Sequence, residues 1–111
     1  MAYNTPCVFL ETPLFTKRIR ELISDNEYRI LQMVLGLRPE QGAVIPGTGG
    51  IRKIRWGQKG RGKRGGIRVI YYWHRQTDRI YMLLTYTKIE QDDLSADQAR
   101  ILSRLVKKEF R

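Results

Sequence analysis

The feature that most restricts the fold is a change of hydrophobic period at residue 43. Before it, apolar residues recur every three or four positions; after it they alternate or run in β-branched and aromatic blocks as far as Thr87. A chain whose period changes in this way cannot be all helix or all strand. The N-terminal part holds an apolar stretch, Cys7 to Leu10, read as a first strand. Thr12-Pro13 supplies a helix cap and a proline at the first helical position, and Phe15, Ile19, Leu22 and Ile23 form the apolar stripe. Ser24 with Glu27 three residues later has the capping-box spacing. Tyr28, Leu31, Val34 and Leu35 follow at helical period until Pro39 and Gly42 stop the helix.

Beyond that point Ala43-Val44-Ile45 is a brief extended piece, and Pro46 to Gly50 is a turn cluster. Strands are predicted over Ile51–Trp56, Ile67–His74 and Ile80–Thr87. Gly57 to Gly66 reads as a flexible loop and Gln76-Thr77-Asp78 as a turn. Ser95 and Gln98 begin a last helix with Leu102, Leu105, Val106 and Phe110 on one face. The element order is therefore strand, helix, helix, three strands, helix. Short links make consecutive strands antiparallel, which gives an α+β fold: a twisted antiparallel sheet, an N-terminal helix pair and a C-terminal helix, with the helices expected against one face. The length, 111 residues, suits one domain over residues 1–111.

Charge restricts the partner. Lys and Arg number 21 against 11 acids, a net +10. Eight of these cations lie between residues 51 and 68, with no acid among them: Arg52, Lys53, Arg55, Lys59, Arg61, Lys63, Arg64 and Arg68. With no local counter-charge this segment is not a salt-bridged surface, and a polyanionic phosphate backbone is the partner that fits. Strand alternation places Lys53 and Arg55 on one face of their strand, and Arg68 and Tyr72 on one face of the next. Three cations on one surface repel by roughly 3 kcal/mol per pair at about 6 Å before screening. The surface is accordingly expected to be open to solvent or a ligand. Tyr72, on the Arg68 face, is the candidate for stacking on a base, whereas Trp56 is expected to face the core.

Other chemistries find little support. One cysteine, Cys7, allows no internal disulfide and fits a reducing, cytoplasmic setting; a small buried residue is its expected role. A single histidine, His74, gives no histidine pair and no zinc set. Asp92 and Asp93 are expected to serve the N-terminus of the last helix rather than a magnesium ion. The glycine-rich run lacks the strand-to-helix turn of a nucleotide-binding loop. No apolar run is long enough to span a membrane, and no membrane partner is expected.

The runs IPGTGGIRKIRW, GRGKRGGIRVIYYW and LLTYTKIEQDDLS resemble the toxins of RelE/HigB-type toxin–antitoxin modules in the RelE/ParE superfamily, over about residues 10 to 108. The resemblance implies a metal-independent endoribonuclease without cofactors. It would cleave messenger RNA in the ribosomal A site by attack of the RNA's own 2′-hydroxyl, inhibit translation and be neutralised by a cognate antitoxin, a helix-turn-helix protein. Carried over by position, Lys53 and Arg55 match two basic positions of the family's hairpin strand, Arg68 matches the arginine that holds the scissile phosphate, and Lys88 falls near a basic position after the last strand. Arg52, Lys59, Arg61, Lys63 and Arg64, with Tyr72 and Tyr86, would contact RNA. Where the RelE branch carries a tyrosine, this chain has Leu94 and Ser95. Lys53 then stands as the candidate general base, with Tyr72 and Tyr86 as substitutes for the missing ring. A ParE-like inhibitor of DNA gyrase and a non-catalytic RNA-binding module are the alternatives on the same fold.

Overall fold

The computed structural model describes residues 7–58 and 62–110. Its elements run β1 (Val8–Glu11), α1 (Pro13–Leu22), α2 (Asp25–Leu37), β2 (Ala43–Val44), β3 (Ile51–Gln58), β4 (Gly62–His74), β5 (Arg79–Thr87) and α3 (Ala96–Phe110). The expected α+β architecture is present. The five strands lie in the order β1-β5-β4-β3-β2, so β4 is central. Three neighbouring pairs are antiparallel, and β1 pairs with β5 in parallel, which makes the sheet mixed.

Both expected helix starts form. The Thr12 hydroxyl accepts from the Phe15 N–H at 3.0 Å, and Ser24 and Glu27 exchange both bonds of a capping box. Ser95 and Gln98 do the same at the start of α3, at 3.0 and 3.1 Å.

Two apolar layers cover the two sides of the sheet. On one side, Phe15 and Ile19 of α1 and Leu31 and Leu35 of α2 meet Ile67, Val69, Tyr71, Ile80 and Met82, with Trp56 and Trp73 at the margin. On the other, Val106, Leu102 and Phe110 of α3 meet Ile51, Ile70, Leu83 and Tyr86. Placing every helix on one face was incorrect. β4 carries apolar residues on both faces, Ile67, Val69 and Tyr71 on one and Ile70 and Tyr72 on the other, so both need a cover.

Strand pairing also enters the segment expected as a loop, Gly57 to Gly66. β3 continues to Gln58 and β4 begins at Gly62, where those two residues pair after a register shift. Glycine weakens a strand but leaves its ladder bonds available, and pairing extends into the glycine-rich run as far as Gln58 and Gly62.

A second irregularity positions the site. Ile70 pairs with Leu84 and Tyr71 with Met82, which leaves Leu83 as an extra residue in β5. A bulge puts two successive residues on one face. Leu83 and Leu84 both join the α3 side, and Tyr86 follows them there while Ile80 and Met82 stay on the other. The Thr12 hydroxyl donates to the Leu83 carbonyl at 2.8 Å and so ties the α1 cap to the bulge.

At the β2 end, Gly42 lies where no side chain fits: an added Cβ would come within 2.7 Å of the Tyr71 hydroxyl. That hydroxyl accepts from the Gly42 N–H at 2.9 Å and donates to the Pro39 carbonyl at 2.8 Å, which closes the connection from α2 to β2.

Candidate phosphate-binding site

The register assembles a row of side chains across three strands. Arg55 of β3 stands directly opposite Arg68 of β4, and Arg68 opposite Tyr86 of β5. Facing side chains at such positions lie about 5 Å apart at Cβ. One step along, Lys53 pairs with Ile70 on β4 and with Ala43 on β2. Lys53, Arg55 and Arg68 thus share the α3 side of the sheet, as strand alternation predicted. They lie at the sheet end where the β5–α3 connection crosses.

Their exposure differs sharply. Arg55 is exposed, the Lys53 side chain retains 20% of its surface, and Arg68 is 2% exposed. The expectation that the whole cluster lies open is therefore corrected at Arg68. It occupies the central strand between two neighbours, and an acid comes close enough to ease its burial. That acid is Asp93, from the β5–α3 connection. Its carboxylate pairs with the Lys53 ammonium, and this contact first, then the charges of Arg55 and Arg68, hold it below the usual carboxylate range.

Tyr86 completes the row. It is 3% exposed, and its hydroxyl is buried without a hydrogen-bond partner among the described residues. Burial, followed by the negative charge of Asp93, pushes the phenol up to about 12. Near neutral pH it is a protonated group that can donate a hydrogen bond and cannot act as a base.

The other expected contacts are distributed as follows. Lys88 is exposed just beyond β5, and its N–H bonds to the Gly66 carbonyl at 3.3 Å, which places it at the same end of the sheet. Arg52 does not face this site. It lies on the opposite side of β3, where its guanidinium donates to the carbonyls of Glu40 at 2.7 Å and Gly42 at 2.9 Å; alternation forces it away from Lys53, and the turn before β2 uses its donors. Tyr72 shares the Arg68 side but is stacked on Phe110, with centroids 5.3 Å apart, so its ring is covered by α3 rather than free for a base. Lys59 and Arg61 lie outside the described residues. Lys63 and Arg64 lie in β4, in a part of which only the backbone is described.

Cys7 and Trp56 take the buried places expected of them, His74 is half-buried rather than an exposed edge residue, and Asp93 has a partner the sequence does not suggest. Cys7 is buried, its thiol donates to Asp78 at 3.2 Å, and burial pushes it up to about 12, far from a reactive thiolate. Trp56 packs on the core beside α1 and α2. His74 holds Thr77 at 2.7 Å and leans on Tyr72 and Phe110, away from the basic row. Asp93 is the residue that sequence reasoning missed. It was assigned to the helix terminus, and only the crossing of the 88–95 connection over β3 reveals its partner 40 positions away.

A recess of about 730 Å³ lies elsewhere, between the β1 edge and the end of α3, lined by Leu10, His74, Tyr81 and Phe110 among others. It lacks the basic row. A phosphodiester chain needs an open charged surface rather than an enclosed cavity, so we place the site at the cations. Among the described residues no group of three His, Cys, Asp or Glu is arranged to hold a metal ion, and no helix is long and apolar enough to cross a membrane.

The chain is thus an α+β domain with a helix pair on one face of a five-stranded sheet, a third helix on the other, and a basic row across β3 and the central β4. The family model described as "RelE toxin of RelE / RelB toxin-antitoxin system" matches residues 11–111, and the chain belongs to this family of toxins of toxin–antitoxin systems. A double arginine-to-alanine variant of the E. coli toxin RelE, in the free state, has a similar fold. The TM-score is 0.61 at 15% identity, with 99% of this chain and 100% of that chain covered.

Proposed function

We propose that this toxin is a ribosome-dependent endoribonuclease that cuts messenger RNA in the A site and so stops translation, with a cognate antitoxin as its inhibitor. The observation that carries the reading is the row Arg55–Arg68–Tyr86 with Lys53 one step away, all on one side of the sheet.

The reaction requires three things. The 2′-hydroxyl must lose its proton as its oxygen bonds to phosphorus. The pentacoordinate phosphate must be stabilised, and the departing 5′-oxygen must gain a proton as the phosphorus–oxygen bond breaks. Arg68 is buried in the central strand directly between Arg55 and Tyr86, where its positive charge reaches a phosphate bound at the row. Arg55, exposed beside it, adds a second planar fork. Lys53 is the candidate for proton transfer, and Lys88 is a second ammonium at the same end of the sheet. Tyr86, protonated near neutrality, suits hydrogen-bond donation and not proton abstraction.

The test is growth arrest in cells. Expression of the wild-type chain is expected to halt growth, whereas Arg68→Ala and the charge-retaining Arg68→Lys are expected to permit it, with folding verified by far-ultraviolet circular dichroism. Full arrest by a folded Arg68→Ala variant places the chemistry elsewhere.

A further inference from the structure

The connection between β5 and α3 brings an acid into a cluster whose function calls for an anion from outside. Asp93 bonds the Lys53 ammonium, and Lys53, Arg55 and Arg68 all stabilise its negative charge. A carboxylate resembles a phosphodiester in the ways these cations sense: one negative charge and oxygen acceptors only. We propose that Asp93 is a resident stand-in for the RNA phosphate, which holds Lys53 in place in the free protein and is displaced when a strand binds.

Three further observations bear on the exchange. First, the Asp93 side chain keeps 71% of its exposure while Lys53 keeps 20%, so the carboxylate sits on the solvent side of the ammonium, where an incoming strand arrives. Second, the backbone beneath Asp93 is anchored. Gln91 Nε2 donates to the Asp93 carbonyl at 3.0 Å and to Gln98 Oε1 at 2.8 Å, and Gln98 belongs to the α3 capping box. Upstream, Glu90 accepts from the Thr87 N–H at 2.9 Å and pairs with Arg18 of α1. Only the side chain needs to turn, a motion of picoseconds to nanoseconds for an exposed residue. Third, a recess of about 320 Å³ opens beside the pair, bounded by Lys53, Asp93, Leu94 and Ile45, and leaves room next to the ammonium.

Asp93 thereby offsets the mutual repulsion of the cations in the free protein and competes with RNA for them. Removing its charge must strengthen RNA binding, whereas loss of a merely structural contact would weaken it. This rests on the nuclease reading for the identity of the ligand.

The experiment measures the affinity of the full chain for a short single-stranded oligoribonucleotide that carries 2′-O-methyl groups, which blocks attack by the 2′-oxygen. Asp93→Asn is expected to bind about three- to tenfold more tightly than wild type, the range of a local electrostatic coupling. Asp92→Asn makes the same charge change one residue away without contact to Lys53, and is expected to change affinity by less than about twofold. Equal gains for both variants, or no gain or a loss for Asp93→Asn, overturn the proposal. An oligonucleotide that binds neither protein overturns it too. Message cleavage by the wild-type chain on translating ribosomes, scored separately, shows whether the nuclease reading survives in each case.

Discussion

Tyr86 shows what a single buried hydroxyl says about a site. A phenol with no partner in the interior costs about 1–3 kcal/mol, and a fold keeps such a group where the group serves something else or where a ligand completes it. Tyr86→Phe removes the oxygen that has no partner among the described residues and leaves the ring in place against Val106 and Leu83. It is expected to raise the unfolding free energy by about 1 kcal/mol in urea titration; a loss of that size would reveal a partner for the hydroxyl in the free protein. Because burial lifts the phenol to about 12, no step in a pH–rate curve near neutrality should belong to it. Asp93 and Tyr86 were the least legible residues in the sequence. One touches Lys53 across 40 positions, and the other reaches its face only because of the bulge at Leu83. Neither relation leaves a local signature. Lys53, Arg55 and Arg68 were legible because a strand's period of two fixes their faces wherever the turn lies. The same alternation sets Arg52 opposite Lys53, where its guanidinium meets the Glu40 and Gly42 carbonyls.

Among the elements, the helices were the most legible, since caps and apolar stripes are written within a few residues. Thr12-Pro13 and Ser24–Glu27 began their helices where the sequence placed them. The strands were found, but their ends and covering were not. The glycine-rich run was read as loop although ladder pairing continues into it, and α3 was placed on the wrong face because nothing in its stripe says which side of the sheet it meets. Thr12 joins the two kinds of element. Its hydroxyl accepts from Phe15 of α1 and donates to Leu83 in the β5 bulge. Thr12→Ala is expected to lower stability by about 1–2 kcal/mol by chemical denaturation, whereas Thr12→Ser, which keeps the hydroxyl, should lose well under half of that. Equal losses would assign the effect to the methyl group instead.

At the scale of the whole molecule, charge and topology act together. A net charge of +10 is tolerable because the cations are dispersed in the free protein by exposure, by pairs such as Arg18 with Glu90 and Lys53 with Asp93, and by backbone carbonyls at Arg52. The sheet order sets Arg68 on the central strand, where it is buried, and Arg55 beside it, where solvent reaches. That division between a buried, oriented arginine and an exposed one is the physical core of the proposed chemistry. The sequence could give the cluster but not the division, which depends on what lies to either side of β4. The most direct measurement is the single-turnover cleavage rate of messenger RNA on programmed ribosomes for Arg55→Ala against wild type. Arg55 is exposed, so its loss should leave thermal unfolding nearly unchanged. The rate should fall by about 10²- to 10³-fold, as when one donor to a developing anion is removed. A rate within a factor of about three of wild type, with the fold intact, would contradict the account.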